Sequence, residues 1–170
     1  KTPGSNIFPY IQKNLDDIIT VPDDELIGAF LDMVENHKMI VENSGLLTVA
    51  ALKHLDVTDK RVVSILSGGN MDVITMSSVV QNGLILRDRI FTVSVLLPDK
   101  PGELSKVSAT IAKEQGNVIK LEHNQFVNTN RNAAVELRIT LESFGTDHKK
   151  QIIRALEEDG YKPKVVRTSL

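Results

Sequence analysis

The 170-residue sequence contains no cysteine and no tryptophan, and only two tyrosines and five phenylalanines. Without cysteine there is no disulfide, no thiolate nucleophile, no Cys-bound zinc and no iron–sulfur cluster, which suits a reducing compartment and leads us to expect a cytoplasmic location. Long hydrophobic runs are also missing. No apolar stretch approaches the ~20 residues that a membrane-spanning helix needs. The opening Lys1-Thr2-Pro3-Gly4-Ser5-Asn6 is not followed by a signal-peptide core, so no membrane partner is expected. The four histidines, His37, His54, His123 and His148, are far apart and show no metal-ligand spacing, so no metal site is expected. Walker, dinucleotide and Gly-x-Ser-x-Gly motifs are absent as well.

What is present is an ordinary globular composition, 41% hydrophobic and 25% charged, in a chain long enough for one domain or two small ones. The formal charge of −2 conceals an asymmetry. Residues 1–86 carry 6 Lys+Arg against 11 Asp+Glu, whereas residues 87–170 carry 14 against 11. The bases of the second half are interleaved with acids and accompanied by few aromatics, so nucleic acid is not an expected partner.

The first half reads as helices separated by two short apolar runs. Ser5 to Leu15 predicts a helix, and the β-branched Asp17-Ile18-Ile19-Thr20-Val21 predicts a strand. Pro22 then fixes a helix start, with Asp23, Asp24 and Glu25 in the first turn, where the macrodipole favours carboxylates. Leu26, Ile27, Phe30, Leu31 and Val34 keep a helical period, so the acidic trio reads as a helix start and not a catalytic pair. Leu46 to Leu55 predicts a second helix. Arg61-Val62-Val63-Ser64-Ile65-Leu66 predicts a buried strand that runs into Ser67-Gly68-Gly69-Asn70, followed by a helix from Asp72 that stops at Gly83. A strand, a Gly-Gly turn and a helix N-terminus form a ligand-binding geometry in open α/β sheets, although the same four residues also suit a plain tight turn.

From Lys1 to Asp72 the chain resembles the end of the catalytic domain of threonine ammonia-lyases (threonine dehydratases) and the related serine racemases. The matching residues are Val21-Pro22-Asp23-Asp24-Glu25-Leu26, Val41-Glu42-Asn43-Ser44-Gly45 with Val49-Ala50-Ala51-Leu52, and Val62 to Asp72 around Ser67-Gly68-Gly69-Asn70. The resemblance implies a fold type II pyridoxal-phosphate enzyme whose cofactor pocket is closed by this turn. Ser67 would meet the pyridine nitrogen, with Gly68, Gly69, Asn70 and Glu42 in the same pocket. It departs from the family at Asn43-Ser44-Gly45-Leu46-Leu47, where Ala- and Gly-rich residues are usual. It also implies that the Schiff-base lysine and the phosphate-binding Gly-rich loop lie upstream of Lys1. The chain then reads as a piece of a longer protein, inactive by itself and with no cofactor expected bound to it.

The second half reads as β-α-β-β-α-β. Ile90 to Leu97 is a strand, and Leu104, Val107, Ser108, Ile111 and Ala112 mark a helix stopped by Gly116-Asn117. Val118–Phe126 and Ala133–Glu142 are strands around the polar turn Asn128 to Asn132. Thr146 caps a helix that Gly160 ends, and Lys164 to Arg167 is a last strand. That order predicts a ferredoxin-like antiparallel sheet with both helices on one face. With Asp99-Lys100-Pro101-Gly102-Glu103-Leu104 after the first strand and Gly116-Asn117-Val118 before the second, residues 90–168 resemble an ACT domain, a regulatory module that binds amino acids. The resemblance implies an effector site at Asp99, Pro101, Gly102, Glu103, Leu104, Asn117 and Val118, and a homo-oligomer assembled through this domain.

The expectation is therefore a mixed class, α/β and α+β. A remnant of an open parallel sheet (1–86) would be joined by a short link (87–89) to a ferredoxin-like ACT domain (90–170). The implied parent reaction converts threonine to 2-oxobutanoate and ammonia with pyridoxal phosphate. A non-enzymatic amino-acid sensor, or a serine dehydratase or racemase relative, stays open.

Overall fold

A computed structural model describes residues 4–124 and 135–169. The chain divides into two compact units, Lys1–Met76 and Ser77–Leu170.

The first unit is helical. Helix α1 (Phe8–Asn14) has Pro9 in its first turn and buries no side chain. Helix α2 (Asp23–Asp32) begins after Pro22, whose φ of −65° is already helical, and its first turn holds Asp23, Asp24 and Glu25. It buries Leu26, Ala29, Phe30 and Leu31, then widens into a π-type turn over Met33–His37 that ends at the left-handed Lys38. Helix α3 (Asn43–Ala50) packs on α2, buries Gly45, Leu46 and Ala50, and tightens into a 3₁₀ turn over Ala51–His54. The helix expected from Leu46 to Leu55 therefore starts three residues earlier and does not keep one geometry.

The two strands expected at Asp17–Val21 and Arg61–Leu66 are not formed, and neither run pairs with another strand among the described residues. The reason is physical: β-branched residues favour extended backbone, but a strand exists only when a neighbour takes up its N–H and C=O groups. All four described strands pair with one another inside the second unit.

Helix α4 (Val73–Leu86) contains the division between the units. Asp72 caps it, accepting the Thr75 N–H at 2.9 Å and the Thr75 hydroxyl. The helix passes through Gly83, the expected stop, which is buried within it. It ends in a Schellman turn built on Asp88 (φ 54°), with the Arg89 N–H donating to Leu84 O at 2.8 Å and the Asp88 N–H to Ile85 O at 3.0 Å.

The second unit has strands β1 (Ile90–Leu97), β2 (Asn117–Asn124), β3 (Val135–Glu142) and β4 (Lys164–Val166), with helices α5 (Glu103–Lys113) and α6 (Thr146–Glu158) between them. The sheet order is β2-β3-β1-β4 and every pairing is antiparallel, the ferredoxin-like arrangement expected. Alternation assigns the faces. Phe91, Val93, Val95 and Leu97 of β1 join Leu137, Ile139 and Leu141 of β3 in one core with Val107 and Ile111 of α5 and Ile152 and Leu156 of α6. The opposite face is polar, with a buried hydroxyl pair Thr92–Thr140 at 2.9 Å and Ser94 Oγ donating to Glu136 Oε1 at 2.7 Å. Phe126, the turn Asn128 to Asn132, and Ala133 lie outside the described residues.

Two helix ends differ from expectation. The left-handed residue that stops α5 is Gln115 (φ 63°), with the Gly116 N–H donating to Ile111 O at 2.9 Å. Gly116 is instead a close-approach position, since a Cβ there would sit 2.8 Å from Ile111 Cγ2 and 3.0 Å from Ile152 Cδ1. Thr146 does not cap α6; its hydroxyl donates to Asp88 Oδ2 at 2.8 Å. Gly160 (φ 86°) closes α6 as expected.

Candidate functional site

The Ser67 to Asn70 turn lies against the start of α3. The Glu42 N–H donates to Gly68 O at 3.3 Å, the Thr48 hydroxyl to Ile65 O at 3.0 Å, and the Ser64 hydroxyl to Thr48 O at 3.4 Å. Both glycines of this contact are required by space. A Cβ on Gly45 would collide with the Ser67 carbonyl, and one on Gly68, whose φ is +81°, would collide with the Glu42 carboxylate. That carboxylate is half-buried over the Gly68 Cα and accepts the Ser44 hydroxyl at 2.7 Å. The hydroxyl of Ser67 and the amide of Asn70 are exposed and have no hydrogen-bond partner among the described residues. The structure thus brings Glu42 and the Ser-Gly-Gly-Asn turn together. A free hydroxyl on a glycine-tight turn suits the chemistry of a pyridine nitrogen, which a serine can meet as donor or acceptor.

In the second unit the loop after β1 forms an open recess of about 340 Å³, lined by Leu97, Pro98, the run from Asp99 to Leu104, and His123, Val135 and Leu137. Gly102 is left-handed (φ 92°) and open space surrounds its missing side chain. The first turn of α5 closes with the Lys106 N–H on Gly102 O at 3.1 Å, and Lys106 Nζ meets Glu103 Oε1 at 2.7 Å. The hydrogen bond to Glu103 raises the Lys106 pKa above its ordinary value. Burial, reinforced by the nearby Glu103 charge, raises that of Tyr161.

Asn117 and Val118 are elsewhere. Asn117 is opposite Glu142, which is opposite Ile90, whereas the loop follows Leu97, which is opposite Val135. An eight-residue strand separates them, roughly 24 Å. Asn117 Nδ2 donates to Glu142 Oε2 at 3.1 Å. A single chain therefore does not assemble all seven expected effector residues. His123, which does line the recess, was missed because a lone histidine near a strand end carries no motif; the register alone places it beside the loop.

The sequence reading also missed Asp88. Its carboxylate meets Lys149 Nζ at 2.7 Å and the Thr146 hydroxyl at 2.8 Å, and its carbonyl accepts the Ser143 hydroxyl. The Lys149 hydrogen bond, opposed by partial burial, holds the Asp88 carboxyl below its ordinary pKa. No group of three or more metal-ligating side chains occurs among the described residues, and no described helix is long and apolar enough to cross a membrane.

No family profile matches the chain. An L-threonine ammonia-lyase of Geobacter sulfurreducens is 34% identical over 169 residues, covering 98% of this chain and 42% of that protein. The chain is related to the threonine ammonia-lyases. A second such relative, from Thermotoga maritima, is 30% identical with the same coverages, 98% and 42%. A biosynthetic L-threonine dehydratase of Escherichia coli is 28% identical over 95% of this chain and 31% of its own length. The chain thus spans less than half the length of these relatives, and the resemblance of the chain to threonine ammonia-lyases is borne out. Among solved structures, the ACT domain of a prephenate dehydrogenase from Bacillus anthracis is 22% identical with a TM-score of 0.34, covering 43% of this chain and 99% of that one. A prephenate dehydratase from Streptococcus mutans is 21% identical with a TM-score of 0.38, covering 45% and 40%.

Proposed function

We propose that the chain is the C-terminal part of a pyridoxal-phosphate-dependent threonine ammonia-lyase. Residues 1–86 would complete the cofactor pocket, 87–89 form the link, and 90–170 form an ACT-type regulatory domain that binds an amino acid and joins subunits. The observation that carries this reading is the 34% identity to an L-threonine ammonia-lyase along 98% of the chain. When bound, pyridoxal phosphate supplies the electron sink that makes an α-proton acidic and a β-hydroxyl a leaving group. The contribution of this chain is positional. With the cofactor bound, Ser67 would present a neutral hydroxyl to its pyridine nitrogen in place of a carboxylate, and Gly45 and Gly68 let α3 and the turn approach closely enough for the Glu42 carboxylate to lie against Gly68. A hydroxyl in that place would not force the ring nitrogen to stay protonated, which would moderate the sink and favour elimination over transamination.

In the regulatory half, the first turn of α5 offers backbone N–H groups and a positive dipole end to an α-carboxylate, while Asp99, which unlike Glu103 is not engaged by Lys106, can face an ammonium. Since Asn117 and Val118 are at the far end of the same chain, they belong to this site only through a second copy that brings them to the loop. Binding and assembly are then linked.

The test is a thermal-unfolding screen of the full chain with the twenty amino acids, alongside its sedimentation. We expect a dimer or larger and one hydrophobic amino acid that raises the melting temperature by a few degrees. Gly102→Val should remove that shift. The variant still folds, because its added side chain meets open space and costs only the strain of a left-handed valine, about 1–3 kcal/mol. A monomer whose melting ignores every amino acid would defeat the regulatory reading.

A further inference from the structure

A second recess in the ferredoxin-like unit, of about 330 Å³, is separate from the β1–α5 loop and lies where the last turns of α4 meet β4. Its apolar lining comes from Ile85, Ile90, Phe91, Val165 and Val166, and its polar lining includes Asn82, Asp88, Lys149 and Arg167. Phe91 is buried but Val165 is 52% exposed, so the lining leaves apolar surface on the outer edge of the sheet for a ligand to cover.

The charges of this lining do not balance. Asp88 is the only carboxylate among the described lining residues, and it is already engaged by Lys149 at 2.7 Å and Thr146 at 2.8 Å. Lys149 is thereby neutralised. Arg167 has no hydrogen-bond or ion-pair partner among the described residues, and neither has the Asn82 amide. The cations that border Arg167 on the outer face of the sheet are spoken for, Lys120 by Glu122 at 3.0 Å and Arg138 by Glu136 at 3.1 Å. Among the described residues, one positive charge is left over beside a set of aliphatic side chains.

We propose that this recess binds a small apolar monocarboxylate, its carboxylate on the Arg167 guanidinium and the Asn82 amide and its hydrocarbon against Ile85, Ile90 and Val166. A guanidinium fork matches a carboxylate in two parallel hydrogen bonds. The volume is at the small end of ordinary ligand sites. An added ammonium is disfavoured, because no lining carboxylate is free to receive it. This separates the ligand class from the zwitterionic amino acids assigned to the Gly102 loop, and the inference does not depend on that assignment.

The test is a titration of the isotope-labelled full chain with isovalerate, followed by methyl and amide NMR. We expect saturable shifts at Ile85, Ile90, Val165 and Val166, weakened about tenfold or more in Arg167→Gln. That variant removes a charge from an exposed side chain and leaves the fold in place. Isovaleramide, the same hydrocarbon without the charge, and leucine, with an ammonium added, should each bind this recess more weakly than isovalerate. Gly102→Val should not change isovalerate binding, so failure of the loop site and failure of this one are distinguishable. The proposal is overturned by an absence of shifts at these residues at millimolar isovalerate, by equal binding to Arg167→Gln, or by shifts confined to residues 99–104.

Discussion

Asp88 carries three tasks on one residue. It is the left-handed stop of α4, its carbonyl takes the Ser143 hydroxyl, and its carboxylate joins Lys149 and Thr146 at the start of α6. Aspartate tolerates a left-handed backbone better than most side chains, which reconciles the first task with the third. Asparagine would keep the turn and lose the charge, so Asp88→Asn isolates the ion pair. Its carboxyl is held below its ordinary pKa, so the contribution to stability is complete above the unfolded value near 4 and is lost as pH falls through the lower folded value. We expect Asp88→Asn to lose about 1 kcal/mol at neutral pH in urea unfolding. The difference from the parent chain should shrink toward zero as the pH is lowered below 4. A gap that stays constant down to strongly acidic pH would assign the loss to backbone and not to charge. None of this was legible in the sequence, where Arg87-Asp88-Arg89 reads as a bare link. The partners of Asp88 are about sixty residues away and only the fold brings them together.

Elements were legible where local chemistry and tertiary pairing agree. Pro22 and the acidic first turn start α2, and the alternation of Val135, Leu137, Ile139 and Leu141 faces the core. Gly160 closes α6. Reading failed where a residue type has two uses. Gly83 and Gly116 look like helix stops, but Gly83 is buried inside α4 and Gly116 admits the Ile111 and Ile152 side chains, while Asp88 and Gln115 take the left-handed positions. Thr146 looks like a cap and serves as a hydrogen-bond donor to Asp88. A pair of substitutions separates the two uses at the end of α5. Gln115→Gly relieves a left-handed side chain and should stabilise the chain by about 0.5–1 kcal/mol. Gly116→Ala forces a methyl between α5 and α6 and should destabilise it by about 1–3 kcal/mol. Chemical denaturation of both variants checks this, and effects of the same sign would show that the two positions do not divide the work in this way. At the candidate cofactor turn the motif residues were visible in sequence, but the collision that makes Gly45 necessary was not, because its obstacle, the Ser67 carbonyl, lies 22 residues further on.

At the scale of the whole molecule the two units satisfy their backbones unequally. The ferredoxin-like unit has four paired strands and one core that joins both helices to the sheet. The first unit has no paired strand among the described residues, and its β-branched runs hold Ile18 at 73%, Val63 at 88% and Ile65 at 72% exposed. Such runs suit a parallel sheet covered on both faces, and the proposed parent enzyme would supply that sheet from the rest of its catalytic domain. Amide groups without a strand partner exchange with solvent through small local openings, whereas those of β1 and β3 open only when the core does. Hydrogen exchange on the dilute chain should therefore show weak protection over residues 16–21 and 56–66. Protection over β1 and β3 should approach the free energy of global unfolding of that unit. Mild proteolysis should cut first in the same unpaired segments and leave a fragment that contains residues 90–166. Adding chain until it associates should raise protection in 61–66 only if another copy takes up the unpaired edge. Protection in these runs equal to that of β1 at a concentration where the chain sediments as a monomer would mean that they are paired within one chain, and the reading of the first unit as part of a larger sheet would fall.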